Sequence, residues 1–358
     1  MERRPKVYSV AIEVTAHCQQ KCDYCYNAWR EDNGAGMEAG SARKLHARVE
    51  RLLDAVEVDH VTITGGEPFA RKDLFALLDL VKARGVGIQM ISNGGLVTPE
   101  LASRLAPYGI HYVQITLDGP TAELHDAHVG GEGHFVRTLA GIRALTAAGV
   151  RVVGCVVVTR KNAAHVAETL ALFQELGVSR IALSRFSPAG YAARNAAALL
   201  PSRDDLLVAF RHALPFARDG MDIMCTMPVP PCTVEVEELA PLAFGNCAIG
   251  TEFQELALGP DGKLRNCTLH GGALGGDVLE DDPAAMVTGA GVRDYKRTLP
   301  DFCVGCSHAS TCGGGCGAAS EWVLGSRRLP DPLVWQHVDD GFAARLASER
   351  RRHLEVIA

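Results

Sequence analysis

The sequence predicts an α/β protein: a partial, open (β/α)6 barrel of TIM-like character, followed by a cysteine-rich C-terminal domain. Three observations predict it. From residue 8 to about residue 185, short β-branched runs alternate with amphipathic helical stretches, which implies a parallel sheet with right-handed crossovers. Gly85, Gly109, Gly149 and Gly177 stand just past four of the helical stretches, where a left-handed C-cap favours glycine. Beyond Pro228, Pro230 and Pro231 the composition shifts to glycine and cysteine.

Taken in order, the expected strands are Tyr8–Val14, His60–Thr64, Gly87–Ser92, Tyr112–Leu117, Val150–Val158 and Arg180–Leu183. Between them, apolar residues at helical spacing predict helices around Ser41–Val56, Asp73–Arg84, Pro99–Leu105, Phe135–Ala148 and His165–Leu176. A further helix is expected over Arg203–Ala217. The resulting organisation is a core barrel over 1–200, a helical bridge over 201–230, a cysteine-rich domain over 231–335 and a C-terminal helix over 336–358. In such barrels the active site lies at the C-terminal ends of the strands.

Composition narrows the function classes. A chain of 358 residues, nearly half of them apolar, buries a large core. The formal charge of −6 argues against a nucleic-acid backbone as main partner. The basic run Arg350-Arg351-Arg352 is read as one face of a solvated terminal helix. Met1 to Lys6 offers no signal-peptide core, and no apolar stretch approaches transmembrane length, so a cytoplasmic location is expected. In that reducing compartment, twelve cysteines point to metal chemistry and not to disulfides.

The most specific motif is Cys18-Gln19-Gln20-Lys21-Cys22-Asp23-Tyr24-Cys25, which follows the first expected strand. Soft thiolates select zinc or iron–sulfur clusters. A zinc site would need a fourth ligand, whereas three thiolates on a cubane leave one iron open. The alternative is a structural metal knuckle. This loop resembles the signature of the radical S-adenosylmethionine (radical SAM) enzymes. The resemblance implies a 4Fe–4S cluster held by Cys18, Cys22 and Cys25, whose open iron takes the amino and carboxylate groups of SAM. It also implies reductive SAM cleavage to a 5′-deoxyadenosyl radical that abstracts a substrate hydrogen.

Further barrel motifs agree. Gly65-Gly66-Glu67-Pro68 ends the second expected strand, where glycines allow close backbone approach to a ligand. In the family this segment meets the SAM ammonium. Ser92-Asn93-Gly94 ends the third strand; by resemblance it reaches the SAM ribose or carboxylate, and a strand-ending turn explains Asn93 equally well. Leu117-Asp118-Gly119, His125-Asp126 and the Gly130–Gly133 loop resemble a pattern of radical SAM maturases, with Val129 where an arginine is common. Asp118 is a candidate general base, although an Asp-Gly turn explains it too. Arg185, in Arg185-Phe186-Ser187-Pro188-Ala189-Gly190, is a candidate partner for the SAM carboxylate.

Downstream stand Cys247, Gly262 and Cys267, then Cys303, Cys306, Cys312 and Cys316 at spacings of two, five and three. This order resembles the SPASM domain, which carries up to two auxiliary 4Fe–4S clusters, and the whole resemblance covers about residues 8–320. It implies that Cys247, Cys267 and Cys316 serve a first auxiliary cluster and Cys303, Cys306 and Cys312 a second. Relatives supply a seventh cysteine beyond the position of Cys316, and this chain has none. The second site is therefore expected to be the weaker or more variable, with Asp331, His337 or Asp339 as candidate ligands. For the first, Cys232, or less favourably Cys225, is the candidate fourth ligand. Cys155 is expected to be a buried inert thiol; facing the barrel interior it would instead be a hydrogen-atom donor, as would Cys225 or Cys232 if unligated.

These readings converge on a radical SAM oxidoreductase or maturase making a net-oxidative change, a cross-link or a dehydrogenation, in a ribosomally made peptide. With the cluster loop at residue 18, no room is expected for an N-terminal peptide-recognition domain. A separate leader-peptide-binding protein, or recognition by the barrel, would then be needed, together with a reducing partner such as flavodoxin or ferredoxin. The alternatives are a radical SAM dehydrogenase or epimerase of a sugar or aminocyclitol, and a non-catalytic iron–sulfur redox protein.

Overall fold

The structure, a computed structural model, describes residues 4–28, 30 and 42–338. Asp339, the Arg350–Arg352 run and most of the expected terminal helix lie outside the described residues. Six parallel strands form the barrel: β1 (Lys6–Glu13), β2 (Glu57–Thr64), β3 (Gly87–Ser92), β4 (Val113–Thr116), β5 (Val152–Val158) and β6 (Arg180–Arg185). Their register is continuous, from Ile12 opposite Ile63 to Val156 opposite Leu183. Helices Ala42–Ala55, Leu74–Ala83, Pro99–Leu105, His134–Ala147 and Val166–Glu175 connect them, each within two residues of its expected ends. Gly85, Gly109, Gly149 and Gly177 all have positive φ, between 65° and 75°.

Each strand alternates between two environments. Val10 and Ile12 of β1, and Val14 just beyond it, join the main core with Leu45, Leu52 and Leu77 of the covering helices, while Ser9 and Glu13 are buried on the opposite, inner face. On β5, Val152, Val156 and Val158 belong to that core, whereas Val153 and Cys155 form a separate small cluster with Ala182. Period-two alternation under a helical layer produces this split.

The sheet does not stop where a simple barrel would. Strand β7 (Asp222–Cys225) pairs parallel with β6, and β8 (Ala243–Phe244) with β7. On the other edge, β9 (Glu255–Leu258) lies parallel to β1, with Ala11 opposite Ala257. Antiparallel β10 (Lys263–Arg265) and β11 (Ala273–Asp277) complete the order β11-β10-β9-β1-β2-β3-β4-β5-β6-β7-β8. The sheet thus crosses the boundaries expected at residues 200 and 230. The β1 edge of the six-stranded barrel is covered by β9 from the cysteine-rich half and the β6 edge by β7 from the bridge, which satisfies their backbone groups. The helix Ala122–Val129, absent from the sequence expectation, is capped by Thr121, whose hydroxyl accepts from the Leu124 N–H. No helix among the described residues is long and apolar enough to cross a membrane.

Candidate active site and auxiliary cysteine sites

The loop carrying Cys18, Cys22 and Cys25 is pinned from three sides at the C-terminal ends of the strands. The Gly66 and Glu67 N–H groups donate to the carbonyls of Thr15 and His17, at 2.6 and 2.8 Å. The Lys21 and Asp23 N–H groups donate to Val129 and His128, at the end of helix Ala122–Val129. From beyond β6, the Ala192 N–H donates to the Cys25 carbonyl at 2.9 Å. Gly66 is required by packing: a Cβ there would stand 2.0 Å from the His17 carbonyl oxygen. The close approach that the glycine pair permits is therefore, in the first place, to the cysteine loop itself.

Glu67 organises the next strand end. Its carboxylate, fully buried, accepts from the Phe69 N–H at 3.0 Å, the Ser92 hydroxyl at 2.8 Å and the Asn93 N–H at 2.9 Å. Burial raises its pKa and these three bonds oppose the shift. Ser92, 4% exposed, is thus committed to Glu67, and its oxygen also accepts from the Gly94 N–H. Asn93 reaches the cysteine loop directly: its amide Nδ2 donates to Cys18 Sγ at 3.6 Å, and its Oδ1 accepts from Gln19 Nε2 at 2.8 Å.

Asp118 is buried behind this loop. Its Oδ1 accepts from the Val157 N–H at 2.9 Å and its own N–H donates to His125 Nδ1. Burial lifts its carboxyl above the usual range, opposed by His128. Its charge adds to burial in raising the thiols of Cys22 and Cys155. Cys155 is 4% exposed and faces the barrel interior with Val153 and Val157, its thiol pushed up to about 12 by burial and then by Asp118. Cys225, by contrast, packs in the helix-side core, on the wrong face to meet a substrate in the barrel or a cluster.

Arg185 is placed differently from expectation. Its Nε donates to the Pro228 carbonyl at 2.6 Å, its Nη1 to the Phe186 carbonyl and its Nη2 to the Asp331 carboxylate, all fully buried. Its guanidinium is spent inside the protein and does not open on the strand-end mouth as a partner for the SAM carboxylate would. Asp331 is equally committed: it also accepts from the N–H groups of Cys316 at 2.7 Å and Leu333 at 2.9 Å. Both of its oxygens are therefore already engaged inside the protein, Oδ2 by Arg185 and Cys316 and Oδ1 by Leu333. His337 lines a separate cleft with Arg203 and Thr233, and no cysteine lines that cleft.

The remaining cysteines sort into two groups. Cys267 is influenced, after burial, by Cys316 and Cys247, and the Tyr295 hydroxyl by the same three thiols. In the second group, Cys303, Cys306 and Cys312 line one cavity, and Cys232 lines it with them. Cys232 had been expected beside Cys247, Cys267 and Cys316. Instead the turn at Pro230, whose carbonyl accepts from Thr233, carries it to the other site.

Two inward carboxylates escaped the sequence reading. Glu13, at the end of β1, is buried, pairs with Arg265 of β10, and keeps Oε1 without a hydrogen-bond partner among the described residues. Its charge acts on Cys25 and Tyr26. Glu255 of β9 accepts from Ser9 and Thr62, each at 2.9 Å. The signal was present: Ser9, Ala11 and Glu13 alternate with the apolar residues of β1. What was missing was the partner strand that buries them.

The donor sets fit iron–sulfur clusters. Cys18, Cys22 and Cys25 lie within electrostatic reach of one another. Burial, and after it neighbouring negative groups, push each thiol upward, so the thiolates need compensating cations, which iron would supply. Among the described residues no three His, Cys, Asp or Glu side chains close around a point as they would around a single ion.

Comparison with known proteins agrees. Residues 12–173 match the radical SAM superfamily. The mycofactocin maturase MftC of Mycobacterium tuberculosis is 29% identical over 96% of this chain and 85% of its own length. The PqqA peptide cyclase of Ruegeria pomeroyi is 28% identical over 94% and 89%. Among solved structures, anSMEcpe with bound AdoMet and Cp18Cys peptide superposes with TM-score 0.69 at 16% identity, covering 97% of this chain and 99% of that one. Streptococcus suis SuiB bound to precursor peptide SuiA gives 0.65 at 16%, covering 91% and 75%. At those identities the structural likeness establishes a shared fold.

Proposed function

Because this chain is a radical SAM enzyme with a C-terminal SPASM domain, we propose that it modifies a ribosomally made peptide by hydrogen abstraction from an unactivated C–H bond, with net oxidation. The observation that carries the peptide assignment is the length of the likeness. A maturase and a peptide cyclase match at least 94% of this chain, cysteine-rich half included.

In this reading Cys18, Cys22 and Cys25 hold the SAM-binding 4Fe–4S cluster, which when bound supplies the electron that cleaves SAM to a 5′-deoxyadenosyl radical. Gly65 and Gly66 let the second strand end pack on the cysteine loop. Glu67 holds Ser92 and the Asn93 backbone in register, and Asn93 places an N–H on the Cys18 sulfur. Such a bond tunes a cluster's potential. The inner face of the barrel, with Glu13, Glu255 and Cys155, is where substrate would lie. The cysteine-rich half would hold one or two auxiliary clusters that take up the electron released on oxidation. A flavodoxin- or ferredoxin-like reductant is the partner this chemistry calls for, with the peptide recognised by the barrel or by a separate leader-peptide-binding protein.

A second reading is favoured by one observation. Cys155 points into the barrel beside Asp118, where a thiol could return a hydrogen atom and make the reaction a redox-neutral epimerisation. The test is anaerobic turnover of the reconstituted enzyme with SAM, reductant and the short peptides encoded beside its gene. Peptide-dependent 5′-deoxyadenosine and a product lighter by two hydrogens support the first reading. Turnover of sugars or aminocyclitols in place of peptides would overturn the peptide assignment.

A further inference from the structure

The family's pattern leaves the second auxiliary site of this chain short of its terminal cysteine. The structure supplies a thiol from the other direction along the chain. Cys232 precedes Cys303 by a long stretch that includes all of β8 to β11, yet it lines the same cavity as Cys303, Cys306 and Cys312. Its place is built. The Pro230 carbonyl accepts from the Thr233 N–H at 2.9 Å, the Thr233 hydroxyl at 2.7 Å and the Val234 N–H at 3.3 Å. That turn directs Cys232 toward the loop in which the Cys306 N–H donates to the Cys303 carbonyl. Two alternatives are already used: Asp331 is locked to Arg185, Cys316 and Leu333, and His337 faces another cleft.

We infer that Cys232 is the fourth thiolate of the second auxiliary cluster, so that this site is fully cysteine-ligated by Cys232, Cys303, Cys306 and Cys312. The incompletely thiolate-ligated auxiliary site is then the first, with Cys247, Cys267 and Cys316. This reverses the order of stability expected from the cysteine count beyond Cys316. The first site would then be the one to need a ligand other than a thiolate; the Tyr295 hydroxyl, in the same half, is buried without a hydrogen-bond partner among the described residues. The inference rests on the reading of the cysteine-rich half as cluster-bearing.

The test uses the full chain with Cys18, Cys22 and Cys25 changed to alanine, so that only auxiliary iron remains. In that background Cys232→Ala is combined with Cys303→Ala or with Cys267→Ala, and iron, sulfide and Mössbauer spectra are recorded. Cys232→Ala alone is expected to remove about one cubane, roughly four irons, or to convert it to a three-iron form with a new EPR signal. Adding Cys303→Ala should remove only what iron remains at that same site, whereas adding Cys267→Ala should also remove the other cluster. Cys232→Ser, of similar size, run alongside with circular dichroism, separates ligand loss from unfolding. If Cys232→Ala leaves iron and spectra unchanged, or overlaps with Cys267→Ala and adds to Cys303→Ala, the assignment is wrong. A background protein with no auxiliary iron at all would overturn the cluster-bearing reading as well.

Discussion

The guanidinium of Arg185, at the end of β6, is paired with the carboxylate of Asp331, and both side chains are completely buried. The same carboxylate oxygen accepts from the Cys316 N–H at 2.7 Å. One ion pair therefore connects the last barrel strand to Cys316 of the cysteine-rich half. Breaking a buried pair from one side leaves an uncompensated charge, which costs about 3–5 kcal/mol. Asp331→Ala is expected to lower the denaturant midpoint of the anaerobic protein by that order, and Arg185→Met with Asp331→Leu by far less. Equal midpoints for Asp331→Ala and the parent would show that the pair does not couple the two halves.

Replacing Cys18, Cys22 and Cys25 together by alanine should abolish SAM cleavage and leave most of the iron. The thiols responsible for the remainder lie in separate groups on other elements. Iron analysis beside a 5′-deoxyadenosine assay decides this, and a triple variant without iron would contradict a two-region distribution.

Asn93→Ala removes the N–H that reaches Cys18 Sγ. A hydrogen bond to a ligating sulfur stabilises the more negative, reduced cluster, so its loss lowers the potential. A net bond of ~1 kcal/mol corresponds to about 40 mV in a one-electron couple. EPR-monitored redox titration should show a shift of that order with iron content unchanged. An unmoved potential would mean that Asn93 acts only through Gln19.

His125 introduces a pH dependence. Burial holds its pKa down at about 4, and its Nδ1 accepts from the Asp118 N–H, which requires the neutral ring. The unfolded chain binds a proton near the ordinary value of 6.5, so stability is complete above 6.5 and lost as pH falls toward 4. Between pH 8 and 5.5 the loss from this group is about 1.4 kcal/mol. His125→Asn retains an acceptor that does not titrate. Its unfolding midpoint should change less over that interval than the parent's, and parallel pH profiles would exclude the effect.

Cys155 separates the two reaction types. Under the oxidative reading, Cys155→Ala keeps product formation, and deuterium from the reacting carbon appears in 5′-deoxyadenosine. Should the parent instead give a product of unchanged mass carrying one solvent deuterium, and Cys155→Ala fail to form it, the enzyme is an epimerase. Cys225 drops out of that comparison because it lies on the helix side of the sheet.

The alternation of β-branched runs and helical faces, closed by Gly85, Gly109, Gly149 and Gly177, was enough to place six strands and five connecting helices. Local periodicity and left-handed caps depend only on neighbours in sequence. The Cys18–Cys25 loop was legible for the same reason, since its three thiols are close in the chain and need no distant partner. Helix Ala122–Val129 escaped because its apolar face is interrupted by His125 and His128, which are buried nonetheless.

Tertiary structure alone decided where distant segments meet. Cys155 and Cys225 have similar apolar neighbours in sequence, and only the position of the helical layer assigns one to the barrel interior and the other to the core. Arg185 reads as a strand-end cation until Asp331, 146 residues away, neutralises it. Cys232 changes groups because a proline turn, not cysteine spacing, sets its direction. The strand β9 finds β1 because each edge has unpaired backbone groups to satisfy, a demand that arises only once the barrel has formed.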